Sequence, residues 1–170
     1  ACEVFRTCFT PAQGHPRLEV LDSTGPGAVV SLESRLDLRR TLFIVSSKSG
    51  ATIEPNCFMD HFFDRVSRLP GAQPGRHFVA ITDRGTSLEK AARSRGFRRI
   101  FTSPADVGGR YSALSHFGLV PAAVMGVDVA RLLDRARKAL RSLSAQLPTE
   151  ENPALRLGAV VLAGARSHFV

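Results

Sequence analysis

Apolar residues along this chain follow two alternating rhythms. Short continuous apolar runs, "TLFIVSS" and "HFVAIT", have the length and composition of strands covered on both faces. "RLEVLD" and "RRIFTS" read as two more, so strands are expected at about 17–22, 41–46, 77–82 and 98–102. Between them, apolar positions recur every three or four residues. Pro26 opens such a pattern over "PGAVVSLESRL". Ile53, Cys57, Phe58, Phe62 and Val66 carry it from Thr52 to Leu69, and "SLEKAARSRG" carries it to a stop at Gly96. "CEVFRTCF" reads as a helix tail, and "TPAQGHP" and "LPGAQPGR" are turn clusters. After "PADVGGRYS" the pattern is helical only, at 112–118, 121–125, 128–147 and 153–166.

Alternation of this kind predicts a three-layer α/β domain, a parallel sheet with helices on both faces, over residues 1–127. A helical extension packed on it is expected over 128–170. In such folds ligands sit beyond the carboxyl ends of the strands, and both "SSKSGAT" and "TDRGTS" fall at such ends.

Composition narrows the function classes. With 170 residues, 44% of them hydrophobic, the chain can bury a real core. No run of about 18 apolar residues is present, so no membrane span is implied. Cys2, Cys8 and Cys57 are odd in number and lack CxxC spacing, which fits reduced thiols in the cytoplasm better than disulfides or a metal site. The N-terminus has neither an initiator methionine nor the layout of a signal peptide, as expected of a trimmed or partial chain. The net charge of +8 raises nucleic acid as a partner. Of its densest groups, "RLDLRR", "RSRGFRR" and "RLLDRARKALR", the last follows helical spacing with its charges largely off the apolar face, as on a solvated helix. Only one tyrosine and no tryptophan are available to stack on bases, so no nucleic-acid partner is expected.

Two stretches could carry chemistry. In "SSKSGAT" the hydroxyls of Ser46, Ser47, Ser49 and Thr52 can donate to an anion, Gly50 permits a tight turn, and Lys48 offers a cation or points to water. The helix starting near Thr52 would add free N–H groups and its positive dipole end. A plain helix cap by Ser49 or Thr52 explains the same residues. The Walker pattern GxxxxGK[ST] is absent. In "DVGGRYSALS" two glycines allow close backbone approach, and Arg110 could set a fixed positive charge against a developing oxyanion. A loop with a surface arginine is the ordinary alternative.

Taken together, "SSKSGATIE", the alternating α/β stretch and "VGGRYS" resemble the phosphoglucose isomerase family, specifically its sugar isomerase (SIS) domain. "LDLRRTLFIVSSKSGATIEPN" is most similar to bacterial members, including those fused to a transaldolase, and the resemblance runs from about Glu3 to about Ala165. It implies a flavodoxin-like sheet and an aldose–ketose isomerisation of glucose 6-phosphate to fructose 6-phosphate, without metal or cofactor. Ser47, Lys48, Ser49, Gly50, Ala51 and Thr52 would hold the substrate phosphate. Gly109 would line the sugar, and Arg110 would stabilise the enediolate. A homodimer, or fusion to a transaldolase domain, is possible on the same ground.

There are departures. Ala51 stands where members usually carry a second threonine, and His116 where they often have a small residue. By the resemblance, the first SIS strand and its glycine–glycine–serine loop should precede Ala1. The general-base glutamate, ring-opening histidine and late lysine should follow Val170. Neither Glu54 nor Glu89 matches the family's base. A phosphosugar-sensing SIS module without catalysis is the alternative reading.

Overall fold

The computed structural model describes residues 2–104 and 106–168, and the side chains of 166–168 are left aside. The chain divides into two compact units, Ala1–Val127 and Asp128–Val170. In the first unit the elements run α1 (Cys2–Cys8), α2 (Pro26–Glu33), β1 (Phe43–Ser46), α3 (Ile53–Ser67), β2 (Phe78–Asp83), α4 (Ser87–Ser94), β3 (Arg99–Ser103) and α5 (His116–Val124). The second holds α6 (Val129–Ser142) and α7 (Pro153–His168).

The sheet is parallel throughout, in the order β1-β2-β3, with Val45 opposite Ala80 and Asp83 opposite Ser103. Both crossovers therefore step the same way, and right-handed connections place α3 and α4 on one face. The burial agrees: Val45, Phe78 and Ala80 pack with Met59, Phe62 and Val66 of α3 and with Leu88 and Ala92 of α4. The alternate residues turn to the opposite face, where Phe101 meets His116 of α5. Because β2 is central, its first five residues are all buried, as its unbroken apolar run requires.

Helix α5 departs from the expected pair of short helices. It runs through Pro121, with a separate 3-10 turn at Gly109–Leu114 before it. Proline cannot donate to the carbonyl four residues back. That carbonyl, Phe117 O, receives Cys2 Sγ from α1 at 3.8 Å instead. Cys2 is half-buried, and burial pushes its thiol pKa up. In the second unit, Asn152 ties the helices together. Its amide donates to Ser144 O at 3.0 Å, and its Oδ1 accepts from Ala154 N–H at the start of α7.

The expected strand at 17–22 is not formed. Those residues lack strand structure, and a groove of about 820 Å³ involves both the segment and β1. Leu18, Val20 and Leu21 are half-buried along it, so apolar burial holds the segment where no ladder does. A strand needs a partner at hydrogen-bonding distance, and the groove separates this one from β1. Amides of residues 17–22 should accordingly exchange with solvent at least a hundredfold faster than those of 78–82 in dilute protein. Comparable protection of the two segments would mean that 17–22 is paired after all. No helix among the described residues is long and apolar enough to cross a membrane.

Candidate functional site

In a parallel sheet the strand ends share one rim, and this one carries both stretches singled out above. Residues 47–52 leave β1 there, and residues 106–110 follow β3, with β2 between them. Strand spacing puts the two exits roughly 10 Å apart. Ala105 lies outside the described residues.

The 47–52 loop is fixed from below. Ser47 N–H donates to Ile81 O at 3.0 Å, and Asp83 N–H donates to Lys48 O at 3.1 Å, which extends the β1–β2 pairing by two residues. Ser47 is buried, and its hydroxyl donates to Thr52 Oγ1 at 3.1 Å. Gly50 turns with φ +68°. Its carbonyl accepts from Ser87 Oγ at 2.7 Å and from Asn56 Nδ2 at 3.1 Å.

What remains open is chemically specific. Thr52 stands at the N-cap of α3 in an extended conformation, yet its side chain makes no capping bond. Its Oγ1 accepts the Ser47 proton, so its own proton is available to a ligand. Ser49 is exposed, and its Oγ accepts from Ala51 N–H at 3.3 Å, which also leaves its proton outward. The plain-cap explanation therefore fails for Thr52. Two hydroxyl donors and an uncapped helix start are gathered on one exposed loop. Ala51 contributes only its backbone.

Lys48 does not simply point to water. Its Nζ lies 2.6 Å from Asp83 Oδ2, with both side chains mostly buried. Sequence reasoning placed "TDRGTS" on this rim but gave Asp83 no role. Thr86, in the same turn, caps α4 by accepting from Glu89 N–H, and the Glu89 carboxylate reaches back to Gly85 N–H at 2.6 Å. This is a variant of the capping box in which the carboxylate meets the N–H before the cap, and Thr86–Glu89 spacing was the signal for it. The Arg93 guanidinium and the Gly85 N–H hold the Glu89 carboxyl below the usual carboxylate range. The stability from this clamp is present above the ordinary glutamate range and is lost as pH falls through the depressed value. Among the described residues, the buried Asp83 Oδ1 and Ser103 Oγ on the rim have no hydrogen-bond partner.

On the β3 side, neither Gly108 nor Gly109 has a left-handed φ, and a Cβ at Gly109 would meet nothing within 4 Å. Conformation and packing thus do not require glycine at 109. The bare backbone there faces open space next to Arg110, which is exposed. Ser112 Oγ donates to Gly109 O at 2.6 Å and stiffens the turn. His116 donates from Nδ1 to Thr102 O at 2.9 Å, so its ring supports β3. Among the described residues, no group of three or more His, Cys, Asp or Glu could hold a metal ion.

Hydroxyl donors and a helix start on the carboxyl rim of a parallel α/β domain have the general layout of an anion site. The family model for phosphoglucose isomerase matches residues 5–164, and the chain belongs to that family. A glucose-6-phosphate isomerase of Thermus thermophilus is 37% identical over 140 residues, 82% of this chain and 33% of the relative. A probable glucose-6-phosphate isomerase of Methanococcus maripaludis is 33% identical over 149 residues, 86% of this chain and 33% of the relative. Among solved structures, a hypothetical protein of Thermus thermophilus superposes with a TM-score of 0.81 at 35% identity, covering 88% of this chain and 36% of that one. A glucose-6-phosphate isomerase of Chlamydia trachomatis gives 0.70 at 27% identity, covering 84% and 27%. The chain thus spans about a third of the length of the relatives it matches.

Proposed function

We propose that this chain forms the phosphate-binding part of a glucose-6-phosphate isomerase. In this reading, Ser47, Lys48, Ser49, Gly50, Ala51 and Thr52 make up the phosphate loop, and Gly109 and Arg110 face the sugar. The observation that carries it is the uncapped start of α3, where the Thr52 hydroxyl occupies the capping position without capping. A dianionic phosphate accepts from such donors, and the helix N-terminus favours its charge.

The reaction moves a proton from C2 to C1 of the open-chain sugar, and the hydroxyl proton moves from O2 to O1 as the carbonyl passes from C1 to C2. Negative charge builds on oxygen in the enediolate. A guanidinium fixed beside it lowers the barrier, which is the role assigned to Arg110. The loop's part is to anchor the far end of the substrate, so that binding energy is spent on orientation.

Proton abstraction also needs a base within hydrogen-bond reach. On this rim Asp83 is engaged by Lys48, and Glu89 by Arg93 and Gly85. Glu54 is exposed in the first turn of α3. Because neither Glu54 nor Glu89 matches the family's base, the base is assigned to another part of the parent enzyme. Calorimetry on the 170-residue chain should show saturable binding of glucose 6-phosphate, while a coupled assay shows no turnover above background. Failure to bind would overturn the phosphate loop. Turnover that persists through extensive purification would mean the base lies within this chain.

A further inference from the structure

The Lys48 ammonium is balanced by the Asp83 carboxylate at 2.6 Å, so the cation within the loop itself does not stand unopposed before a phosphate. Another cation lies on the same rim, directly after β2. Residues 84 and 85 form the turn into α4, with Gly85 at φ +81°. The turn is joined to the 47–52 loop by Asp83 N–H to Lys48 O and by Ser87 Oγ to Gly50 O. Asp83 is also the register partner of Ser103, the last residue before the Arg110 loop. Arg84 therefore follows the central strand, between the exits of its two neighbours.

The Arg84 side chain is exposed. Among the described residues its guanidinium makes no hydrogen bond or ion pair, although its field reaches Glu89. That carboxylate is already occupied, by Arg93 Nη2 at 2.6 Å and by Gly85 N–H. A dianionic phosphate seated on Ser49 and Thr52 calls for a cation with two parallel donors, and a guanidinium supplies them in a fixed fork.

We propose that Arg84 is a further binding residue of this site, contributing the cation for the substrate phosphate. This rests on the reading of 47–52 as a phosphate loop. It assigns the "TDRGTS" turn a direct part in binding, as a third wall between the two loops.

The test compares the wild-type chain with Arg84→Ala, Arg84→Lys and Arg76→Ala, titrated calorimetrically with glucose 6-phosphate and with inorganic phosphate at one ionic strength. Arg76 is an exposed arginine at the amino end of the same strand, so its loss removes the same charge from the far rim. Arg84→Ala should weaken both ligands about tenfold, the scale of one charge-assisted hydrogen bond. Arg84→Lys should recover part of the loss, and Arg76→Ala should bind as wild type does. Unchanged affinity in Arg84→Ala overturns the proposal and leaves the loop reading intact. An equal loss in Arg76→Ala overturns it in favour of bulk charge, and a loss for the sugar phosphate alone overturns the phosphate contact. A wild-type chain that binds neither ligand overturns the loop reading and this one with it.

Discussion

Replacing Ser49 and Thr52 together by alanine is expected to cost about 3 kcal/mol of glucose 6-phosphate binding, more than a hundredfold in Kd. Each hydroxyl accepts one hydrogen bond from its own loop and keeps its proton for an outside acceptor, Ser49 through Ala51 N–H and Thr52 through Ser47 Oγ. Donation to a dianion is worth roughly 1.5–3 kcal/mol per bond, well above a neutral pair. Folding should lose about 1 kcal/mol, because neither residue caps α3 but the buried Ser47 hydroxyl loses its acceptor on Thr52. Calorimetry and urea unfolding on the same sample separate the two effects. Wild-type affinity in the double variant would reduce the loop to a connection between β1 and α3.

Gly50→Ala should act in the opposite way, through the fold. A side chain at φ +68° meets a backbone penalty of about 1–2 kcal/mol. The added Cβ would also lie 2.6 Å from Thr86 Cβ and 3.0 Å from Leu88 N. Thr86 cannot swing aside without giving up the cap of α4, and Leu88 N is backbone. The loop must lift from the 83–87 turn, and a total loss of about 2–4 kcal/mol is expected in urea unfolding. Gly109→Ala is the contrast. With ordinary φ and open space around the Cβ, it should change stability by less than about 0.5 kcal/mol while weakening the sugar phosphate. Wild-type stability in Gly50→Ala would show that the loop is not held against α4 as described.

The difference between these glycines explains what was legible in the sequence. The apolar runs at β1 and β2 and the spacing of Phe58, Phe62 and Val66 reported a local period, and the structure follows it within one or two residues at each boundary. The segment 17–22 has an equally good strand pattern and forms none. Strand formation depends on a neighbour at pairing distance, which a single segment does not encode. The expected helices at 112–118 and 121–125 give way to a single α5 that runs through Pro121, and the carbonyl that proline leaves open, Phe117 O, meets Cys2 Sγ from far away in sequence.

At the site, motif and resemblance located both loops on one rim. They left the state of each side chain unread. Lys48 offered a cation in sequence, but its partner is Asp83, 35 residues on and next to it only once β1 and β2 pair. Thr52 read as a cap, and only its geometry shows the hydroxyl turned to Ser47 instead. His116 stood out by its unusual place, and its bond to Thr102 O accounts for it as a strut.

The central claim is that the loops after β1 and β3 face a single phosphorylated sugar. Titrating the ¹⁵N-labelled chain with glucose 6-phosphate tests it most directly, by following the backbone amides of 47–52 and 108–110. The account predicts that both groups shift and saturate together on one binding curve, with inorganic phosphate moving the first group more than the second. Two curves with different midpoints, or a response confined to amides outside these loops, would contradict it.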